Sequence, residues 1–315
     1  MAQGPFSPPA GQEGSTAIHK DSELFTSWAS GCKVERGYMN IARPHLGYAS
    51  AGSCIEVVGK AGERGVLSLG DGGHVILTFD PPITNGEGYD FAVFENAFDD
   101  YFLELGFVEV SSDGENFFRF PAISLTDTTE QIGTFGTLDA TYIHNLAGKY
   151  RLFYGVPFNL DELKDVEGLD VKKVTHIKII DVVGSIMDEY ATYDSMGNKI
   201  NDPWPTPFAA GGFDLDAVGV INSYGSTSKG FEISTQPNPV CIDSKAYFRI
   251  FAPVEAVVSV SVFNYNGSLI YKDSIELTYN GVHFKSLDAI NLQPGVYIVV
   301  LEYPGGFTTN KLVVV

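Results

Sequence analysis

The chain has 315 residues, 44% of them hydrophobic and 13% aromatic, and its 39 acids and 20 bases give a net charge of −19. That length predicts about two domains, each able to bury its own core, and no window approaches the roughly eighteen uncharged apolar residues of a membrane span. The charge is uneven: residues 1–229 hold 32 acids and 15 bases, net −17, and residues 230–315 hold 7 and 5, net −2. The acidity argues against nucleic acid and anionic membrane surfaces as partners of the first part. It suits metal cations, neutral sugars or cationic ligands, beside plain solubility.

Residues 1–15 are rich in Pro, Gly and Gln. They read as a flexible lead, a mature N-terminus with an added Met rather than a signal peptide. Residues 21–37 predict a short helix capped by Asp21 and then an extended segment. Cys32 and Cys54 are placed to form a disulfide in an oxidising compartment, with Cys241 left over. A turn at GDGG leads into a strand from His74, with Val75, Leu77 and Phe79 on one face, which Pro81 and Pro82 are expected to end. In FAVFE, residues 91–95, the two-residue period puts Phe91, Val93 and Glu95 on one face. Glu95 must therefore reach solvent at the strand end, or be buried and paired or metal-bound. FVEVSSDGENFFRF predicts a hairpin turning at Asp113-Gly114. Residues 126–165 read as irregular loops with a capped helical turn starting at Asn159, and VTHIKIID is a strand ending at Asp181. The loop that follows is dense in Asp, Asn and aromatics, and loops of this length inside a domain are usually functional or disordered. FDLDAVGVI then closes a first domain of roughly eight to ten strands, which points to a jelly-roll β-sandwich.

The strand, SxDG turn and aromatic strand of residues 107–120 resemble the discoidin and galactose-binding-like jelly rolls of coagulation factors and carbohydrate-binding modules. That resemblance supports a fold more than an activity. SLGDGGHVILTFDPPI, YDFAVFENAF, FVEVSSDG and GGFDLDAVGVI together are similar to uncharacterised bacterial cell-surface proteins, which implies, as one variant, vitamin or glycan capture beside an outer-membrane uptake receptor. After a linker at residues 229–239, residues 240–315 read as an Ig-like sandwich of about seven strands. PNP at 237–239, SVSVFNYNGSLIY, LQPGVYIVVL and the terminal NKLVVV resemble the C-terminal sorting domain of the type IX secretion system of Bacteroidetes. That resemblance implies a partner, the type IX machinery, and a secreted or outer-membrane-surface location reached with a signal peptide absent here. The whole is thus an all-β chain with a binding domain at residues 16–228 and a sorting domain behind it.

Calcium binding is the sharpest chemical reading, because this ion takes six to eight oxygens of the kind acidic loops supply. Glu95, Asp214 and Asp216 are the first candidate ligands, and Asp188, Asp194, Asn198 and Asn201 form a second cluster. Each set also reads as solvated loop acids and turn formers. Tyr190, Tyr193, Trp204 and Phe208 with Asp202 are candidates for gripping a sugar or other ring, with Phe98 and Tyr101 at the same edge. The plain alternative is a loop stapled by its own rings. His144, beside Tyr142 and Asn145, is the one histidine in a site-like setting, without a visible partner. The function expected is capture of a carbohydrate or other small nutrient at the cell surface, through loops near 95–104, 140–158 and 186–212. A glycan-degrading hydrolase using paired carboxylates and a protein-binding adhesin are the alternatives.

Overall fold

The computed structural model describes residues 4–224, 231–242, 244–278, 281–288 and 292–315. The chain divides into two compact units, Met1–Ser226 and Thr227–Val315.

The first unit is a sandwich of two antiparallel sheets. One sheet holds β1 (Gly31–Glu35), β2 (His74–Ile83), β4 (Gly106–Ser111), β5 (Phe118–Arg119) and β7 (Val174–Asp181), in the order β1-β2-β7-β4-β5. The other is centred on β3 (Phe91–Glu95), which lies between β6 (Tyr154–Phe158) and β8 (Asp214–Val220). Strands β2, β3 and β4 follow one another in the chain but change sheet at each step, as do β6, β7 and β8, so long loops cross between the sheets at their ends. The alternation in β2 is as its sequence predicts: Val75, Leu77 and Phe79 are buried, and Ile76 and Thr78 are half-buried. They join Phe91, Val93, Val108, Val110, Ile177, Ile179 and Val218 in one core between the sheets. Strand β3 is buried along its whole length, because Phe25, Trp28 and Ala61 cover Ala92 and Phe94 on its outer side. A separate apolar cluster, including Leu103, Leu105, Leu138, Leu146 and Ile200, sits under the loops. It anchors segments that have almost no regular hydrogen bonding of their own.

Several local readings need correction. Residues 21–30 hold no helix: Ser27–Trp28 is a short strand paired with β8 at Val220 and Gly219, and Phe25 and Trp28 pack on Phe94. Tertiary burial of those rings overrides the local helix signal. Pro81 and Pro82 do not end β2, which runs on to Ile83. The ladder with β7 pairs Thr78 with His176 and Ile83 with Val174, so the prolines sit in a bulge where no ladder N–H is asked of them. The N-terminal lead is docked from residue 4 onward. Thr141 takes the amides of Gly4 and Phe6, and Ser7 reaches both the Tyr150 hydroxyl at 2.7 Å and the Lys149 ammonium at 2.9 Å. The capped turn expected at Asn159 is a short 3-10 helix, Leu160–Leu163, whose first turn the Asn159 side chain caps through the Asp161 amide. Cys32 and Cys54 are joined, with Cα atoms 5.4 Å apart, and Cys241 is free and exposed.

The second unit is a smaller sandwich. Its three-stranded sheet is β9 (Glu232–Gln236), β10 (Lys245–Ala252) and β13 (Gly281–Asp288); its four-stranded sheet runs β12 (Leu269–Leu277), β11 (Ala256–Asn264), β14 (Gly295–Tyr303) and β15 (Gly306–Val314). Phe248, Ile250, Val258, Val260, Val299, Leu301 and Leu312 fill the space between them. The expected linker overlaps this unit: β9 pairs residue for residue with β10, and Phe231 and Ile233 are buried. Residues 229 and 230 lie outside the described residues.

Candidate functional site

One end of the first sandwich gathers six buried carboxylates. Glu95 ends β3 and Asp181 ends β7; Asp214 begins β8; Asp71 and Glu104 lie just before β2 and β4; Asp202 comes from the long loop before β8. Antiparallel pairing puts all these strand ends on the same side. Their exposures are only 2–9%. Four act as staples. Asp181 accepts the amides of Phe213 and Gly72 at 2.7 and 2.9 Å, and Asp71 accepts the Ile41 amide and the Trp204 indole N–H at 2.8 and 3.1 Å. Asp202 takes the Leu105 amide and Glu95 the Ala97 amide, each at 2.7 Å.

The other two are not satisfied. Among the described residues the Glu104 carboxyl accepts no hydrogen bond, and Asp214 Oδ1 is fully buried without one in good geometry, the Ser68 hydroxyl being the group that approaches that carboxylate. Burial first, and mutual repulsion second, hold the carboxyls of Glu95, Glu104, Asp181 and Asp202 well above the ordinary range. Burial raises Asp71 and Asp214 to about 6. Arg36 attracts Asp214 without pairing to it, since its guanidinium is spent on the carbonyls of Ala51, Ser68 and Gly52. Among the described residues none of the six forms an ion pair, and no three His, Cys, Asp or Glu side chains close on a single point as a metal cage.

Of the three acids first expected to act together, Glu95 and Asp214 are neighbours whose charges raise each other's cost. Asp216 is elsewhere: both its oxygens take the Gly62 amide, and Lys20 is the cation facing it. The β3–β8 ladder shifts register between Leu215 and Ala217, and Asp216 is held at Gly62 rather than in the cluster. Glu104, Asp181, Asp71 and Asp202 take its place. The second expected cluster does not converge. Asp188 is an exposed partner of Lys199 at 2.6 Å. Asp194 spends its oxygens on the amides of Met196, Asn198 and Ser124 and on the Asn198 side chain. Asn201 bridges two loops through the carbonyls of Asp127 and Glu130 and the Ile132 amide.

The aromatic candidates also separate. Trp204 is buried, packed on Tyr190 and bonded to Asp71, so it staples its loop. Asp202 lies in the floor with the other acids rather than on a rim. Tyr193 is exposed but touches none of the other rings. His144 stacks on Phe6 and has Lys149 as its charged neighbour, so it faces the N-terminal segment; burial, then Lys149, lowers its pKa. Phe208 belongs to a row that takes in Phe98, expected at the same edge, and two rings that the sequence did not single out, Phe102 and Phe135. Phe98, Phe102, Phe135 and Phe208 form a row with successive centroids 6.3, 6.4 and 6.1 Å apart. Phe98, Phe135 and Phe208 are 79, 77 and 45% exposed, and Tyr101 flanks them.

Three loops build this row. Asp99 caps its loop by accepting the Tyr101 and Phe102 amides, and the Tyr101 carbonyl takes the Leu138 amide. The Trp204 amide bonds the Ile132 carbonyl at 3.0 Å, and the Thr134 hydroxyl the Pro205 carbonyl at 2.7 Å. Phe135 was not legible as a site residue, because its segment, IGTFGT, carries only turn signals. An aromatic between two glycines, in a loop with no strand to bury it, is the one hint present.

The chain's C-terminal part has a known counterpart. Residues 236–315 are a secretion system C-terminal sorting domain. The match runs from Gln236, the last residue of β9, to residue 315 and so includes part of the expected linker. The sorting domain directs the protein through type IX secretion to the cell surface or the extracellular space. Among the described residues no helix is long and apolar enough to cross a membrane. No curated protein matches the chain. Among solved structures it is similar to dimeric latent PorU from Porphyromonas gingivalis, at 14% identity over 81% of this chain and 19% of that one, with a TM-score of 0.25. It is also similar to a β-glucuronidase from Ruminococcus gnavus in complex with D-glucaro-d-lactam, at 11% identity over 94% and 46%, TM-score 0.31. A third is the CARDB domain of a Pyrococcus furiosus protein in complex with di-metal ions, at 14% over 27% and 88%, TM-score 0.21. The chain spans less than half of the first two. Likenesses this distant carry no argument about activity or ligand.

Proposed function

We propose that the first unit is a ligand-capture module of an exported protein, in which calcium bound among the buried carboxylates fixes the loops and the aromatic row takes a carbohydrate or other small nutrient. The observation that carries this reading is that the ring-bearing loops are rooted in the acid cluster. Phe98 follows Glu95 by three residues, Phe102 precedes Glu104 by two, and Phe208 lies between Asp202 and Asp214. Phe135 is tied to the same floor through Ile132 and Asn201.

An unpaired buried carboxylate costs several kcal/mol unless it is protonated, hydrogen-bonded or metal-bound. Among the described residues Glu104 accepts no hydrogen bond, and Asp214 Oδ1 is buried with only the Ser68 hydroxyl approaching its carboxylate, so both fit a cation. The donors are all oxygen, with neither His nor Cys among the six, which suits a hard ion such as calcium rather than zinc or copper. Because no three side chains close on one point, Glu104 and Asp214 would supply carboxylate oxygens, with Glu95 beside them, and carbonyls and water would complete the shell. When bound, the ion offsets the repulsion among the acids. The hydrolase alternative lacks support of this kind, since Glu95, Asp214 and Asp216 are 2, 9 and 2% exposed and a catalytic pair must reach its glycosidic bond.

The test is a thermal melt of the full chain in EDTA against millimolar calcium. A site filled to about a hundred times its dissociation constant adds about 2.7 kcal/mol, or about 5–11 °C for a unit of this size. Glu104→Gln combined with Asp214→Asn should abolish the shift, and Asp216→Asn should retain it. An unchanged midpoint in the wild-type chain would remove the metal from the proposal.

A further inference from the structure

We infer that the row of Phe98, Phe102, Phe135 and Phe208 is an extended platform for a linear, uncharged glycan that lies across several rings at once; this deepens the ligand-capture reading and rests on it. The geometry is that of a track. Four rings follow one another at nearly equal intervals of 6.1–6.4 Å, with neighbouring planes 21, 37 and 24° apart. A pocket for one sugar would bring rings to face a common point; here they run in single file across three loops. A sugar ring presents C–H groups on its faces and hydroxyls around its edge, so it can cover an aromatic face while its edge stays wet or meets polar groups.

The charge around the row selects against other ligands. Asp99 and Asp100 stand beside the first ring, and the base nearby, Arg151, is already paired to Asp100 at 2.6 Å. With the acid cluster beneath and no free base at the rim among the described residues, uronate or sulfated glycans and anionic lipid surfaces are repelled. A protein partner is poorly matched as well. A stable interface buries about 800 Å² per side. Four rings of about 150–250 Å² each, partly covered by one another and by their loops, offer well under that.

The experiment is calorimetric titration of the full chain, in calcium, with neutral ladders of β-1,4-glucan, α-1,4-glucan and β-1,4-mannan from mono- to hexasaccharide, and with an oligogalacturonate ladder beside them. For at least one neutral ladder, affinity should climb with chain length and level off once the row is filled. Phe135→Ala, which cuts the row at its third ring, should lower hexasaccharide affinity about tenfold or more and flatten the length dependence. Tyr193→Ala, exposed but off the row, should change neither. Phe135 is 77% and Tyr193 46% exposed, so an unchanged melting midpoint will show that the variants are folded. Binding of a monosaccharide without gain from added units would overturn the platform and leave capture standing. Preference for the oligogalacturonates would overturn the neutral-ligand claim. No binding of any ladder would overturn both.

Discussion

Gly212 shows how closely the acid cluster is packed. It sits at φ +71°, and a Cβ there would lie 2.6 Å from Asp181 Oδ1. That oxygen accepts the Phe213 amide, the next residue along, so the glycine lets the chain turn tightly around a buried carboxylate. A Gly212→Ala change combines left-handed strain of about 1–3 kcal/mol with displacement of a staple between β7 and β8. We expect a loss of at least about 2 kcal/mol in chemical denaturation, together with loss of any calcium-induced stabilisation. Stability unchanged to within about 0.5 kcal/mol would mean that the Asp181 staple tolerates displacement. At this scale the sequence was legible where a residue follows a regular strand. Glu95 and Asp181 stand out as acids ending apolar runs, and Asp214 begins one. Glu104 did not stand out, and Asp202 was read as a partner of the aromatic rings rather than as an acid of the floor, because both enter the cluster from irregular segments, where no periodicity marks which side chain turns inward.

Among the elements, the loop segments depend on long-range ties more than on local hydrogen bonding. The Cys32–Cys54 bridge joins β1 to a loop 22 residues later, in a stretch that holds only one short 3-10 helix, Pro44–Leu46. Closing a loop of that length removes about 3 kcal/mol of unfolded-state entropy in the chain-entropy account. Reduction should therefore lower the melting midpoint of the first unit by about 6–12 °C, as read by calorimetry with and without a phosphine reductant. A shift below about 2 °C would show that the loop is held by other contacts, such as Arg36 on the carbonyls of Ala51 and Gly52. The strands themselves were legible: the alternation of Val75, Leu77 and Phe79 and the apolar run of β7 appear as their patterns predict. What failed was compositional inference. The Pro- and Gly-rich lead is docked through Gly4, Phe6 and Ser7, and the linker-like segment before residue 240 contains β9. Low hydrophobicity marks segments that cannot build a core alone, and it says nothing about whether an existing surface will hold them.

Across the whole molecule, the two units should respond to pH in different ways, because among the described residues only the first buries acids. Among the described residues, the buried polar side chains of the second unit are Thr235 and Ser261, neither of which titrates. In the first unit, burial raises Asp71 and Asp214 to about 6, against about 3.9 in an unfolded chain. Between those values the folded state binds more protons than the unfolded state, so stability falls as pH rises. The cost is absent below about pH 4 and complete above about pH 6. Each such group contributes about 3 kcal/mol at most, since one pKa unit corresponds to about 1.4 kcal/mol. Calorimetry of the full chain in EDTA should therefore show the first unit's transition moving up by more than about 6 °C between pH 7 and pH 5, while the second unit's stays nearly fixed. Calcium at pH 7 should recover much of the same gain, because a cation relieves the repulsion that protons relieve in acid. If acid instead lowers the first transition in EDTA, the carboxylates are charged and stabilising in the folded state without metal. The acid cluster would then be a hydrogen-bonded support for the loops rather than a cation site.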